Sequence, residues 1–166
     1  MNPTDEIQLY LLRHAHAGDP MKWNGPDAVR PLTEKGRLQS ERLGLFLARA
    51  SFRPDAILSS PRIRALETAR LVAAPLGAPV TIVEELGEPL DLETVERILH
   101  WAGDPRRPVL VGHDPDFSSI AAELVGVSEL LLRKAALVRI DLRRPAGPGR
   151  GIVRWLLPPD LLAADS

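Results

Sequence analysis

The chain has 166 residues, the length of one ordinary domain, so we expect a single domain over residues 1–166. Lysine and arginine total 21 and aspartate and glutamate total 22, and this near-balance argues against a nucleic-acid-binding protein. The absence of cysteine excludes disulfide frameworks, thiolate zinc sites and cysteine nucleophiles. No apolar run reaches the length of a membrane span, and no secretory signal is visible at the N-terminus. We therefore expect a soluble, cytoplasmic protein that binds neither membranes nor nucleic acid.

The first predicted strand, Ile7–Arg13, is an apolar run followed directly by a histidine. Residues 18–32 come next, and their three prolines and two glycines indicate a long loop. Loops of about a dozen residues or more inside a compact domain are often functional. Thr33 can then cap a helix that runs to about Ala50.

The rest of the chain alternates between strands and helices. Three more strands are predicted at Asp55–Ser59, Val80–Val83 and Pro108–Gly112. Helices are predicted to begin at Ser60–Pro61, at Asp91 and at Asp114–Pro115, the first of them ending near Ala74. The last two strands, Ala135–Leu142 and Gly151–Leu157, should form an antiparallel hairpin. This order predicts an α/β three-layer sandwich, with a mostly parallel central sheet, helices on both faces and a C-terminal antiparallel hairpin.

Polar side chains follow each of the four predicted parallel strands. Ligands of such sheets bind beyond the carboxyl ends of the strands, so these side chains should gather at one edge. In chain order they are Arg13, His14, His16, Ser59, Ser60, Arg62, Arg64, Glu84, Glu85, Glu88, His113, Asp114 and Asp116. Arginines and neutral histidines beside helix N-termini are typical of a site for a phosphoryl group.

A histidine at this edge is suited to attack phosphorus. An unprotonated imidazole nitrogen is a competent nucleophile, and two arginines can stabilise the charge on the transferring group without a metal. Nearby arginines would also lower the histidine pKa and keep the ring neutral. The other ring nitrogen would need a carbonyl or carboxylate acceptor to fix the tautomer.

Four segments carry a recognisable pattern: Leu11–Ala15 with its Arg-His pair, Pro31–Gly36, Ser60–Ala69 and Val111–Pro115. In this order and spacing they resemble the histidine phosphatase (phosphoglycerate-mutase-like) superfamily. The short chain and the tail Trp155–Pro159 resemble its SixA-type phosphohistidine phosphatase branch. The resemblance covers nearly the whole chain. It departs from the commonest signature at Ala15, where glycine is frequent.

The resemblance implies that His14 accepts the phosphoryl group and that Arg13, Arg64 and His113 complete the phosphate pocket. Arg64 is the matching arginine because the pattern places it directly before Ala65, whereas Arg62 is expected on the surface. We expect Ser60 to join these residues in binding substrate.

The general acid is left open between three residues. Superfamily members that act on esters place a carboxylate after the third strand, so Glu84, Glu85 and Glu88 are each candidates. Each of them is as readily explained as a solvated carboxylate before a turn.

Structural explanations compete with these roles: His14 could be a core histidine, Arg64 a solvated helix residue and His113 a helix cap. His16 could be a rim residue, a metal ligand or structural. A rival metal hydrolase would use His14, His16 and His113 with Asp114 or Asp116, but it leaves Arg13 and Arg64 unexplained. A non-catalytic phosphate-binding module is a further rival. Turnover of an aryl phosphate, with and without a chelator, separates the three.

The sequence thus predicts a phosphatase that uses a phosphohistidine enzyme intermediate, with no metal and no cofactor. The expected substrate is protein phosphohistidine, because most connections are too short to build a lid and no general acid is unambiguous. A small-molecule phosphomonoesterase of the same superfamily is the alternative.

Overall fold

The computed structural model describes residues 5–163, which form one six-stranded sheet and four α-helices. The strands are β1 (Glu6–Arg13), β2 (Ala56–Ser59), β3 (Thr81–Ile82), β4 (Pro108–Gly112), β5 (Leu137–Arg143) and β6 (Gly151–Leu157). The helices are α1 (Glu34–Arg49), α2 (Ile63–Ala73), α3 (Leu92–Trp101) and α4 (Asp116–Val125). Short 3₁₀ turns lie at Pro20–Lys22, Asp27–Val29, Ala74–Leu76, Glu84–Gly87 and Pro159–Leu162.

The strand order across the sheet is β3-β2-β4-β1-β5-β6. Strands β1 to β4 are parallel to their neighbours among themselves, whereas β5 runs antiparallel to both β1 and β6. The predicted mostly parallel sheet and C-terminal hairpin are therefore confirmed. Arg13 of β1 pairs with Gly112 of β4, and Ser59 of β2 pairs with Val111 beside it. This register brings the ends of three strands to the same edge.

The core lies on both faces of the sheet because β1 alternates its side chains between them. Leu9 and Leu11 pack in a cluster with Ile98 of α3 and Phe117 of α4. Tyr10 and Leu12 pack on the opposite face, in a cluster to which α1 and α2 contribute Leu43, Leu47, Ala65 and Ala69. The expected helices on both faces are confirmed. No helix within residues 5–163 has the length and apolar character needed to cross a bilayer.

Two of the predicted helix caps are confirmed. Thr33 Oγ1 accepts the Gly36 N–H at the start of α1, and the Asp91 carboxylate accepts the Thr94 N–H at the start of α3. Each satisfies a donor that the first helical turn leaves unpaired.

The predicted cap at Ser60 is wrong. Helix α2 begins at Ile63 with Arg62 as its N-cap, since the Ser60 hydroxyl is engaged by the His113 ring and a short turn precedes the helix. Likewise α4 begins at Asp116 with Pro115 as its N-cap, while Asp114 accepts from Ser118. Strand β3, an exposed edge strand, is shorter than the predicted Val80–Val83.

Candidate active site

The site lies at the carboxyl edge of the parallel strands. The His14 N–H donates to Gly112 O at 3.0 Å, and the Ser60 N–H donates to Val111 O at 3.0 Å. These main-chain bonds extend the sheet by one residue, so the side chains after β1, β2 and β4 face one another. The ring centroids of His14 and His113 are 5.3 Å apart. The structure thus brings together two of the predicted phosphate-site histidines.

His14 is neutral and held in one tautomer. Its Nδ1 lies 2.8 Å from Ala15 O, and a carbonyl can only accept, so Nδ1 carries the proton and Nε2 keeps a lone pair. Burial lowers the pKa of His14 to about 3, and the positive charges of Arg64 and Arg13 add to this effect. The Ala15 N–H in turn donates to Thr68 Oγ1 at 3.0 Å, which ties this segment to α2.

His113 is fixed through the hydroxyl of Ser60. Its Nε2 lies 2.7 Å from Ser60 Oγ, which also accepts the Arg62 N–H at 3.2 Å. Burial, with smaller contributions from the charges of Arg64 and Arg62, lowers the pKa of His113 to about 4. The ring is therefore neutral near pH 7, as expected for a histidine beside arginines.

Arg64 is buried and oriented by a residue of the long loop, Asp27. Arg64 Nη1 donates to Asp27 O at 2.9 Å, and Arg64 Nη2 lies 2.9 Å from Asp27 Oδ2. Only 7% of the Arg64 side chain is exposed. Burial lowers the pKa of Arg64, and the Asp27 carboxylate opposes that shift. Both terminal nitrogens are thus engaged by one residue, and Nε is left for another partner.

Arg13 is fixed from the opposite side of the site. Its Nη1 donates to Leu132 O at 2.8 Å and lies 3.3 Å from Asp114 Oδ2. Asp114 is itself held by the Ser118 hydroxyl at 2.7 Å. The guanidinium is therefore anchored through one terminal nitrogen.

Three buried nitrogen atoms in residues 5–163 have no hydrogen-bond partner: Arg13 Nε, Arg64 Nε and His113 Nδ1. Buried polar atoms are nearly always satisfied, so each exception needs an explanation. All three belong to side chains around His14, and guanidinium Nε–H groups are obligate donors. An anion with several acceptor oxygens would satisfy them together. This geometry fits the phosphate site that the sequence predicts.

Asp27 and Arg30 are site residues that the sequence analysis missed. The Asp27 carboxylate accepts from Arg30 Nε at 3.0 Å, and Arg30 Nη1 donates to Ala17 O at 2.7 Å. Burial would raise the pKa of Asp27, but its hydrogen bond to Arg30 and the charge of Arg64 outweigh this and lower it. The loop length was the only signal, because residues 18–32 stood out as long without indicating which side chain matters.

Arg62 is more engaged than the predicted surface residue. Its Nε and Nη2 both donate to Gly87 O, at 3.2 and 3.0 Å, and its Nη1 lies 3.2 Å from Asp27 Oδ2. The side chain is 36% exposed, so Arg62 lies at the rim. It links the long loop to the turn after β3.

The three candidate glutamates are all exposed. Only Glu88 lines the pocket of about 260 Å³ that also contains Arg62, Arg64 and His113. Glu84 and Glu85 lie in the 3₁₀ turn that precedes it and do not line this pocket.

The ligand set of the metal-hydrolase rival is not assembled. In the part of the chain that the structure describes, no group of three or more His, Asp or Glu side chains could hold a metal ion. His16 Nδ1 lies 2.7 Å from Thr33 Oγ1, and Asp116 accepts the Leu90 N–H.

Burial lowers the pKa of His16, and the positive charges of Lys134 and Lys35 add to that shift. The His16 backbone also packs on α1, where a Cβ at Gly36 would lie 2.0 Å from His16 O.

Comparisons with known proteins agree with this geometry. The sequence model of the histidine phosphatase superfamily (branch 1) matches residues 9–113. An uncharacterised protein of Picosynechococcus sp. is 32% identical over 139 residues, covering 80% of this chain and 83% of that one. An 8-oxo-(d)GTP phosphatase of Mycolicibacterium smegmatis is 29% identical over 112 residues, covering 65% of this chain but 34% of that longer one. The solved structure of the protein histidine phosphatase SixA with tungstate is 25% identical, with a TM-score of 0.81, and covers 95% of this chain and 100% of that one.

Proposed function

The chain belongs to the histidine phosphatase superfamily, and we propose that it is a phosphatase that carries the phosphoryl group transiently on His14. The observation that carries the proposal is the set of three unpartnered buried nitrogens around this neutral histidine. In the proposed complex these nitrogens donate to the oxygens of the phosphoryl group, and the phosphorus faces the Nε2 lone pair of His14. The single-domain organisation over residues 1–166 is part of the same proposal.

The first step is attack on phosphorus by His14 Nε2. The Nε2 lone pair forms the P–N bond while the bond from phosphorus to the leaving atom breaks, and the leaving atom takes the bonding pair. Protonation of His14 would remove the lone pair, so the lowered pKa keeps the nucleophile available near pH 7. The bond from Nδ1 to Ala15 O keeps the lone pair on the nitrogen that faces the site.

Arg13 Nε, Arg64 Nε and His113 Nδ1 stabilise the charge on the equatorial oxygens. Arginine supplies fixed positive charge, so this stabilisation does not depend on a metal. His113 contributes as a donor when its proton is on Nδ1. That tautomer leaves Nε2 to accept the Ser60 hydroxyl hydrogen, while Ser60 Oγ accepts the Arg62 N–H.

The second step is hydrolysis of the phosphoryl group on His14. A water oxygen attacks phosphorus, the P–N bond breaks, and its electron pair returns to Nε2. Inorganic phosphate leaves, and the proton lost by the water goes to phosphate or to solvent. The enzyme is then restored to the state in which it began.

Protein phosphohistidine is the substrate that this site fits best. Of the three candidate glutamates, Glu88 alone lines the pocket, and it is exposed. The lowered pKa of Asp27 makes that carboxyl group a poor acid. A phosphoramidate bond asks less of such a site, because its imidazole leaving group can be protonated by water before the bond breaks. The likeness to SixA supports the same substrate class.

The nucleophile is tested with His14→Asn, and with His100→Asn as the matched control. His100 is 82% exposed on α3, so its replacement should leave activity unchanged. His14→Asn should abolish turnover of an aryl phosphate while circular dichroism stays native. The wild-type phosphoenzyme should be labile in acid and stable in alkali, as a phosphoramidate is. Turnover by a folded His14→Asn protein would overturn the mechanism.

The substrate is tested by comparing kcat/KM for a phosphorylated histidine-containing phosphotransfer domain with kcat/KM for a panel of small phosphomonoesters. The protein substrate should be preferred. A metabolite preferred by more than about tenfold, roughly 1.4 kcal/mol of transition-state discrimination, would show a small-molecule phosphomonoesterase with the same histidine mechanism.

A further inference from the structure

A second cavity, of about 510 Å³, lies on the α1 face of the sheet. Its apolar lining comes mainly from Tyr10 of β1, Phe46 of α1, Phe52 of the segment before β2 and Trp155 of β6. Pockets that hold small ligands have volumes of about 300–1,000 Å³ and mostly apolar walls with a few polar groups. The size and lining of this cavity fall within that description.

The aromatic side chains in the cavity form a contiguous surface. The rings of Tyr10 and Phe52 meet edge to face with centroids 4.8 Å apart, and those of Tyr10 and Trp155 lie 5.8 Å apart. Tyr10 OH donates to Gln8 Oε1 at 2.9 Å, which leaves the Gln8 amide NH₂ as a donor at the edge of the cavity. Surfaces of this kind favour flat ring systems, which can pack against them edge-on or offset.

The charge of the lining is positive. Of the residues in the described part of the chain, three arginines line the cavity and no aspartate or glutamate does. Arg139 is paired with Asp141 at 2.9 Å, whereas the side chain of Arg53 bonds, among the residues that the structure describes, only to the carbonyl of Phe52. Within residues 5–163 the guanidinium of Arg107 has no hydrogen bond or ion pair. Two exposed guanidinium groups beside an aromatic surface therefore lack a carboxylate partner among the described residues.

We propose that this cavity binds a small aromatic anion, namely a planar ring system that carries a carboxylate, sulfonate or phosphate. The ring packs against Phe46, Phe52 and Trp155, and the anionic group pairs with Arg53 and Arg107. The guanidinium fork matches the geometry of such oxyanions. A neutral ligand with the same ring system would make only the apolar contacts and would not pair with the arginines.

This site is distinct from the phosphate pocket. Tyr10 and His14 are four residues apart on the same extended segment, which corresponds to roughly 13 Å at the rise of a β-strand. Gln8 and Arg107 lie toward the amino ends of β1 and β4, whereas the catalytic side chains follow their carboxyl ends. No residue is shared between the linings of the two pockets. Both sites can be occupied at once.

The test uses two fluorescent probes that differ by one charged group: 1-anilinonaphthalene-8-sulfonate and the neutral N-phenyl-1-naphthylamine. The sulfonate should saturate at one molecule per chain and should quench Trp155 in a Trp23→Phe/Trp101→Phe background, where Trp155 is the sole tryptophan. Arg53→Ala/Arg107→Ala should weaken sulfonate binding by about tenfold or more and change neutral-probe binding less than about twofold. Arg97→Ala, which removes an exposed arginine from α3, should change neither.

Aryl phosphatase activity of each arginine variant should equal that of the parent with the same tryptophan background, since none of the substituted arginines lies in the phosphate pocket. Displacement of the sulfonate by inorganic phosphate or orthovanadate in the parent and in Arg53→Ala/Arg107→Ala alike would place it in the phosphate pocket and overturn the proposal. So would equal binding of both probes with no effect of the arginine substitutions.

Discussion

Asp27 contacts Arg64 through two different oxygens, its carboxylate Oδ2 at 2.9 Å from Nη2 and its main-chain oxygen at 2.9 Å from Nη1. A single loop residue thus fixes the plane of the guanidinium that α2 contributes to the site. Both terminal nitrogens of Arg64 are engaged by Asp27, and Nε is the buried donor that remains. Loop residues 18–32 therefore take part in the site by orienting an arginine, and we treat Asp27 as a positioning residue.

Asp27→Asn should lower kcat for an aryl phosphate by about tenfold, because hydrogen bonds to a charged partner are stronger than those to an amide. The main-chain bond to Nη1 remains, which limits the loss. The weaker anchoring of Arg64 disfavours substrate binding, whereas removal of a negative charge beside the arginines favours anion binding. Because these two effects oppose each other, we expect KM to change less than about threefold. Steady-state kinetics with a generic aryl phosphate measure both values.

The matched control is Asp19→Asn in the same loop. The Asp19 carboxylate accepts the Met21 N–H at 2.9 Å, and no ion pair within residues 5–163 involves it. Its replacement should leave kcat unchanged. A rise in kcat for Asp27→Asn would show that Asp27 competes with the substrate for Arg64 instead of orienting it.

Replacement of Arg64 should reduce catalytic activity far more than replacement of Arg62. Arg64→Ala should reduce kcat/KM by roughly 10²–10⁴, the range for oxyanion donors and arginine fingers, because a buried donor to the transferring group is lost. Arg64→Lys should restore activity only in part, since an ammonium cannot form the fork. Arg62→Ala should cost less because its Nε and Nη2 bind Gly87 O. A damaging Arg62→Ala beside a silent Arg64→Ala would assign the phosphate role to Arg62.

The two site histidines should make the fold less stable in mild acid. Burial holds the pKa of His14 at about 3 in the folded chain, so only the unfolded chain binds a proton as the pH falls below about 6.5. This contribution to stability is present above pH 6.5 and is lost progressively down to about pH 3. Between pH 7 and 5 it amounts to roughly 2 kcal/mol for His14.

Urea unfolding at these two pH values measures that loss in the wild type and in His14→Asn. The variant should lose roughly 2 kcal/mol less between pH 7 and 5, since other acid-sensitive groups are common to both proteins. Equal losses would mean that His14 titrates alike in the folded and unfolded chains.

Much of the fold could be predicted from sequence because periodicity and capping act locally. The strand-helix alternation, the hairpin and the caps at Thr33 and Asp91 all depend on residues within a few positions of each other. The carboxyl-edge rule then gathers His14, Arg64 and His113, which are far apart in the chain, because it depends only on strand direction.

The errors arise where a distant partner competes with a local one. Ser60 is a residue type that commonly caps helices, but its hydroxyl is hydrogen-bonded to the ring of His113, which follows β4. Helix α2 therefore begins later, at Ile63. Asp27 is one of several polar residues in a loop without periodicity, and its role depends on arginines 3 to 37 residues away. No local sequence feature distinguishes Asp27 from the other polar residues of the loop, so its contacts with the arginines are seen only in the folded structure.

The bond between Ser60 and His113 yields a final prediction about a proton. Ser60 Oγ accepts the Arg62 N–H and lies 2.7 Å from His113 Nε2, an arrangement that favours the tautomer with its hydrogen on Nδ1. Ser60→Ala removes that preference, so the proton divides between the two ring nitrogens and the Nδ1 donor is present only part of the time. We expect kcat for an aryl phosphate to fall by roughly tenfold, less than the 10²–10³ typical of losing an oxyanion donor entirely.

Ser59→Ala is the matched control, because Ser59 is equally buried but its hydroxyl donates to Ser60 O. Nitrogen-15 chemical shifts of the His113 ring report the tautomer directly. A ring that keeps its proton on Nδ1 in Ser60→Ala, with unchanged kcat, would show that Ser60 does not set the tautomer.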